Sequence, residues 1–131
     1  MKFTKTAVTL SALAMAVGGT MATAGPAAAV GGCPSGKLCL YEPINFGRLD
    51  VTSQSTNACI DLRNYGHTGF RHGIGSYVNN LSVNVRVYHL TANGAYALDG
   101  TIGPGRSSSN TSSPRAFGNY GKTCTGSAVP S

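Results

Sequence analysis

Four cysteines, Cys33, Cys39, Cys59 and Cys124, follow a stretch that reads as an export leader, and this pairing of features constrains the fold more than anything else in the chain. The expected secretory signal peptide occupies residues 1–29. Lys2 and Lys5 give a short basic start, residues 7–17 form an uninterrupted weakly apolar run, and small residues follow at Ala22-Thr23-Ala24 and Ala27-Ala28-Ala29. Gly18-Gly19 and Thr20 end the run well short of the roughly 20 apolar residues that a membrane-spanning helix needs. Cleavage after Ala24 and cleavage after Ala29 fit the small-residue pattern equally. Either cut implies a secreted, extracellular protein with no membrane anchor, and either removes two lysines from a formal charge of +6.

In an oxidising compartment an even number of cysteines in a chain of about 100 residues reads as two disulfides. Four cysteines allow three connectivities. The favoured one joins Cys33 to Cys39, closing the turn Pro34-Ser35-Gly36-Lys37-Leu38, and Cys59 to Cys124, tying the tail to the middle. Loop entropy assigns about 2 kcal/mol to the first and about 4 to the second. A domain this small buries only about two-thirds of its unfolded surface, so crosslinks of that size matter. No Cys-x-x-Cys is present and the three histidines are not spaced with the cysteines in a zinc pattern, so no metal is expected there.

Residues 30–131 read as one domain of short strands. In Ser82-Val83-Asn84-Val85-Arg86-Val87-Tyr88 three valines alternate with polar or larger residues, the period-two pattern of a strand with one buried face. Arg48-Leu49-Asp50-Val51-Thr52 repeats it, with Leu49 and Val51 expected inward and Asp50 expected at a solvent-facing position. Leu38-Cys39-Leu40-Tyr41, Ser76-Tyr77-Val78 and Ala95-Tyr96-Ala97-Leu98 are shorter strands. Asn93-Gly94 and Asp99-Gly100 accept positive φ and each marks an expected tight hairpin. No window after the leader has helical periodicity, so the fold class is all-β. The Ser/Gly-rich stretch 103–114 has almost nothing apolar to bury and is expected to be a mobile surface loop.

The segment Cys33-Pro-Ser-Gly-Lys-Leu-Cys39-Leu-Tyr41-Glu42-Pro-Ile-Asn-Phe46-Gly47 is the most specific in the chain. Tyr41 five residues before Phe46, with Gly47 following, resembles the opening of a βγ-crystallin Greek-key motif. In that motif the aromatic pair packs across a folded hairpin and the glycine supplies the bend. The Cys-Pro-Ser-Gly-x-x-Cys-x-Tyr start is also similar to the microbial metalloproteinase inhibitor family, whose members are secreted βγ-crystallin-like domains. The resemblance covers residues 33–80. It implies a small, disulfide-stapled Greek-key β-sandwich, with a second key starting at Val87-Tyr88 and Tyr96 in the place of Phe46. It implies a peptidase inhibitor whose partner is a secreted protease, and it carries over no inhibitory residue. A monomer is expected.

The crystallin calcium signature falls on Arg71-His72-Gly73-Ile74-Gly75-Ser76, which keeps only its last serine. Arg71 puts a positive charge where calcium wants oxygen, so no cofactor is expected, although calcium stays open as a degraded possibility. Catalysis has little support. The four acids, Glu42, Asp50, Asp61 and Asp99, form no acid–base pattern; Asp99 fits its turn and Asp61 a local bond to Arg63 or a backbone amide. His67 and His72, with Arg71, lie in a glycine-flanked loop that fixes no metal geometry and in which Phe70 is expected to tuck into the core. The cations are scattered, which argues against nucleic acid, while a diffuse positive charge favours acidic partners. Asn80-Leu-Ser82 and Asn110-Thr-Ser112 match the glycosylation sequon. An inhibitor needs one loop held rigid. Candidates are the Cys33–Cys39 turn, the segment around Cys59, and 103–114. The competing readings are a non-inhibitory βγ-crystallin-like module for an envelope component or calcium, a small toxin, and, last, a secreted enzyme.

Overall fold

In the computed structural model, residues 29–111 and 117–131 are described. The expected leader lies outside them but for Ala29, as do residues 112–116. Eight strands form: β1 (Leu38–Tyr41), β2 (Leu49–Ser53), β3 (Cys59–Asp61), β4 (Ser76–Asn79), β5 (Val85–Leu90), β6 (Tyr96–Ile102), β7 (Ser107–Ser108) and β8 (Lys122–Thr125). They make two antiparallel sheets, ordered β7-β4-β1-β2 and β3-β8-β5-β6. Only single 3₁₀ turns, at Val30–Gly32 and Leu62–Asn64, interrupt the β-structure among the described residues. Each run of four consecutive strands keeps three in one sheet and lends its third, β3 or β7, to the other, which is compatible with paired Greek keys.

The core lies between the sheets. Leu38, Leu40 and Val51 from one face meet Val85, Val87 and Ile102 from the other, and Leu62, Phe70, Ile74 and Leu81 close its margins. Burying such side chains stabilises by about 1.5–3 kcal/mol each. A second, smaller core covers the outer face of the first sheet, where Cys33, Cys39, Tyr41 and Val78 pack with Phe46. The Tyr41 and Phe46 rings meet edge-on at 5.3 Å, and the Tyr41 hydroxyl donates to the Gly31 carbonyl at 2.8 Å. Burial pushes the Tyr41 phenol up from its ordinary pKa.

Both second strands of the two keys carry a bulge, and this changes several expectations. Leu40 pairs with Val51 but Tyr41 pairs with Leu49, so Asp50 is the extra residue and the alternation slips by one. Val51 is buried as expected, whereas Leu49 is 44% exposed. Asp50 is not solvent-facing: its side chain is 5% exposed and accepts from the Glu42 amide and Arg48. Asp99 likewise stands between the pairs Val87–Gly100 and Tyr88–Leu98. Asp99-Gly100 is therefore inside β6 and is not a hairpin turn. The β5–β6 hairpin turns instead around Asn93-Gly94, in a loop closed by Thr91 N–H to the Ala95 carbonyl.

Three further differences have local causes. Gly47 does not supply the bend of the first hairpin: the left-handed residues are Asn45 and Phe46, and Gly47 is simply packed against Pro43. The valine strand starts at Val85, because residues 80–84 carry the chain from one sheet to the other. The stretch expected as a loop contains β7, whose Ser107 and Ser108 pair with Val78 and Tyr77.

Candidate functional site

Strand register gathers two of the candidate loops and the first residues of the third, 103–106, at one end of the sandwich; Ser109 and Thr111 already bond to Asn45 and Gly75 at the other end, and residues 112–114 lie outside the described residues. Leu38 opens β1 opposite Ser53, the last residue of β2, and Asn79, the last residue of β4. From that end the chain crosses between sheets three times, from Ser53 to Cys59, from Asn79 to Val85 and from Ile102 to Ser107. The Cys33–Cys39 turn therefore lies between residues 54–58, which leave one edge strand of the first sheet, and residues 103–106, which lead into the other. Pro34, Ser35 and Gly36 at the tip of the turn are exposed, as are residues 54–57 and 104–106.

The turn is fastened on every side. Cys33 and Cys39 are joined with their Cα atoms 5.9 Å apart. Asn80 supplies three bonds from beneath: its side-chain amide donates to the carbonyls of Cys33 at 3.3 Å and Pro34 at 3.0 Å, and its main-chain N–H donates to Lys37 at 2.9 Å. Gly36 takes φ of 75°, with open space where a side chain would project. The Asn80 sequon is thus an internal fastener, its amide nitrogen already engaged.

Asn79 ties the crossings together. It is fully buried, its amide nitrogen donates to the carbonyls of Val83, Ile102 and Gly103, and its side-chain oxygen accepts from the Leu81 amide. Cys59 and Cys124 are joined across directly paired positions of β3 and β8. Next to them Thr125 exchanges bonds with Ala58, and Arg86 donates to the carbonyls of Gly126 and Ala128, holding the tail. The 54–58 loop is thus pinned at its base.

The opposite end is organised by Glu42. Its carboxylate accepts from the amides of His67 (2.7 Å), Thr68 (3.1 Å) and Phe70 (2.7 Å), the Thr68 hydroxyl (2.6 Å) and Arg48 (2.8 Å). Burial on its own would raise the Glu42 pKa, but the Thr68 hydroxyl and the three amides outweigh it and hold the group below its ordinary value. Ser76, the surviving residue of the calcium signature, is buried; its hydroxyl accepts from the Phe46 amide and donates to Pro43, locking the folded hairpin. Gly75 lies so close to the Glu42 and Pro43 backbone that no Cβ fits.

The remaining expected residues have local roles. Phe70 is buried in the core, and Asp61 pairs with Arg63 at 2.7 Å and accepts from its amide at 3.0 Å. The Arg63 bond, opposed by burial, holds the Asp61 carboxyl below its usual range. Asp99 bonds His89 at 2.6 Å and the Gly118 amide at 2.8 Å, so it braces a bulge. Tyr96 makes no equivalent of the Tyr41–Phe46 contact; its hydroxyl accepts from Arg63, and Lys122 lies 4.9 Å over its ring. His72 lines a shallow cleft of about 210 Å³ with Glu42, Pro43, Arg48, Thr68 and Gly73. Among the described residues no three His, Cys, Asp or Glu side chains come together to hold a metal, and no helix is long and apolar enough to cross a membrane.

A crosslinked turn and two hydrogen-bonded loops at one end of an all-β sandwich define a small disulfide-stapled scaffold. The chain belongs to peptidase inhibitor family I36, whose model matches residues 26–97, more than half of its length. That membership makes it a non-enzymatic protein with a protease as its partner. No curated protein and no solved structure matches it. The match spans the Cys33–Cys39 turn, the 54–58 loop and both asparagines that fasten them, and ends before β7 and β8.

Proposed function

We propose that the protein is secreted and inhibits a metalloprotease as a monomer, by presenting the Cys33–Cys39 turn to the active-site cleft. The observation that carries this reading is the fastening of that turn, by one disulfide and three bonds from Asn80, with Pro34-Ser35-Gly36 left exposed at its tip. A loop already held in its bound shape loses little conformational freedom on association, so its contacts convert into affinity. The 54–58 loop flanks it. The inhibitor needs no metal ion: the Ser76 hydroxyl is occupied within the hairpin, and Arg71 stands in the stretch that would supply calcium ligands.

The test incubates the oxidised protein with a thermolysin-like metalloprotease and, separately, with a subtilisin-like serine protease. Loss of metalloprotease activity at micromolar inhibitor is expected. Inhibition of the serine protease alone would overturn the target class. Inhibition of neither would favour a non-inhibitory binding module.

A further inference from the structure

The charges of this protein are unevenly placed. All four of its acidic side chains are engaged: Glu42 and Asp50 with Arg48 at 2.8 and 2.7 Å, Asp61 with Arg63 at 2.7 Å, and Asp99 with His89 at 2.6 Å. None lies at the end that carries the turn. Glu42 follows the far end of β1, Asp61 is the far end of β3, and Asp50 and Asp99 sit in mid-strand bulges. The turn end has Lys37 and Arg106, neither of which forms an ion pair among the described residues, and Arg86, whose guanidinium is taken up by the Gly126 and Ala128 carbonyls.

The backbones of Lys37 and Arg106 are held in a fixed relation. The Lys37 carbonyl accepts from the Asn80 amide and the Arg106 carbonyl from the Asn79 amide, so their backbones bracket the end of β4 from either side. Two strand spacings separate them, about 10 Å. Arg106 is exposed and Lys37 half-exposed. With none of the four acidic side chains near, the fold leaves both charges without a neutralising partner. A field of one sign at a binding end attracts a partner of the other.

Building on the inhibitor reading above, we infer that the turn end recognises a protease whose cleft is rimmed by carboxylates, with Lys37 and Arg106 as the residues that steer and orient it. Rim charges of this kind act on the association rate and its salt dependence more than on the lifetime of the complex.

The experiment measures the association rate constant with an active metalloprotease, its cleft open, from low to high ionic strength, read from the onset of inhibition. It compares the unaltered protein with Lys37→Gln/Arg106→Gln, and with Arg71→Gln/Lys122→Gln as a control that removes the same charge elsewhere. Both carbonyl contacts of Lys37 and Arg106 come from the main chain, so the first variant keeps its fastening. It is expected to associate about fivefold more slowly at low salt and to lose most of its salt dependence, while the control stays within about twofold of the unaltered protein. Equal slowing by the two variants, or a salt-independent rate in the unaltered protein, would overturn the inference and leave the inhibitor reading standing. Absence of any inhibition by the unaltered protein would overturn both.

Discussion

The side-chain amide of Asn80 donates to the Pro34 carbonyl oxygen at 3.0 Å, reaching from the crossing after β4 to the exposed tip of the Cys33–Cys39 turn. Asn80→Ala removes this bond and the one to Cys33, leaving the main-chain bond to Lys37. Loss of one or two such bonds costs about 1–2 kcal/mol. A modest fall in the urea midpoint is expected, together with weaker inhibition expressed mainly in faster dissociation. Unchanged inhibition with lowered stability would separate the turn from the binding surface.

The two disulfides differ in reach. Cys33–Cys39 spans a sequence separation of 6 and Cys59–Cys124 one of 65, so loop entropy assigns about 2 and about 4 kcal/mol. Replacing Cys33 and Cys39 by serine is expected to leave a folded protein with little inhibitory activity. Replacing Cys59 and Cys124 is expected to threaten the fold itself, since domains of this size have only about 5–15 kcal/mol in total. Urea unfolding beside inhibition assays distinguishes these outcomes.

Glu42 makes stability depend on acid. Its folded pKa is below the ordinary value, so its contribution is fully present above the unfolded carboxyl pKa, near 4.3, and is lost as pH falls through the folded value. Asp61, lowered by Arg63, acts in the same direction with a more exposed pair. Thermal unfolding is expected to show a falling midpoint below about pH 4. Glu42→Gln is expected to cost about 2–3 kcal/mol at neutral pH, by weakening charge-assisted bonds to the 67–70 segment, and to flatten the acid dependence. An unaltered acid profile in that variant would remove Glu42 as its source.

Calcium at millimolar concentration is expected to leave both the unfolding midpoint and the inhibition unchanged, as isothermal titration and thermal melts would record. A stabilisation that saturates with calcium would show that oxygen ligands are available around Ser76 despite Arg71.

What was legible in the sequence is what local pattern can carry. The alternation around Val85 and Val87 marks a strand because burial of one face imposes a period of two, and both valines are buried; Leu38-Cys39-Leu40-Tyr41, an unbroken apolar run, is a strand buried on both faces. The sequence pattern fails at Leu49, Asp50 and Asp99 because a bulge is a relation between two strands: Asp50 and Asp99 become extra residues only when β1 and β5 lie beside them. Asn79 draws no expectation from the sequence, and Asn80 is read there only as part of a sequon. Their roles depend on carbonyls more than 20 and more than 40 residues away, at Ile102 and Cys33, to which no local spacing points. Glu42 was set aside as a non-catalytic acid, and its work of bracing the 67–70 segment likewise crosses more than 20 residues.

The central claim is that the end bearing the Cys33–Cys39 turn is the surface that meets the protease, and amide hydrogen exchange of the inhibitor with and without a bound metalloprotease tests it most directly. Protection confined to residues 33–37, 54–58 and 103–106 is expected. Protection at residues 42–48 and 65–73, with the turn end unchanged, would contradict it.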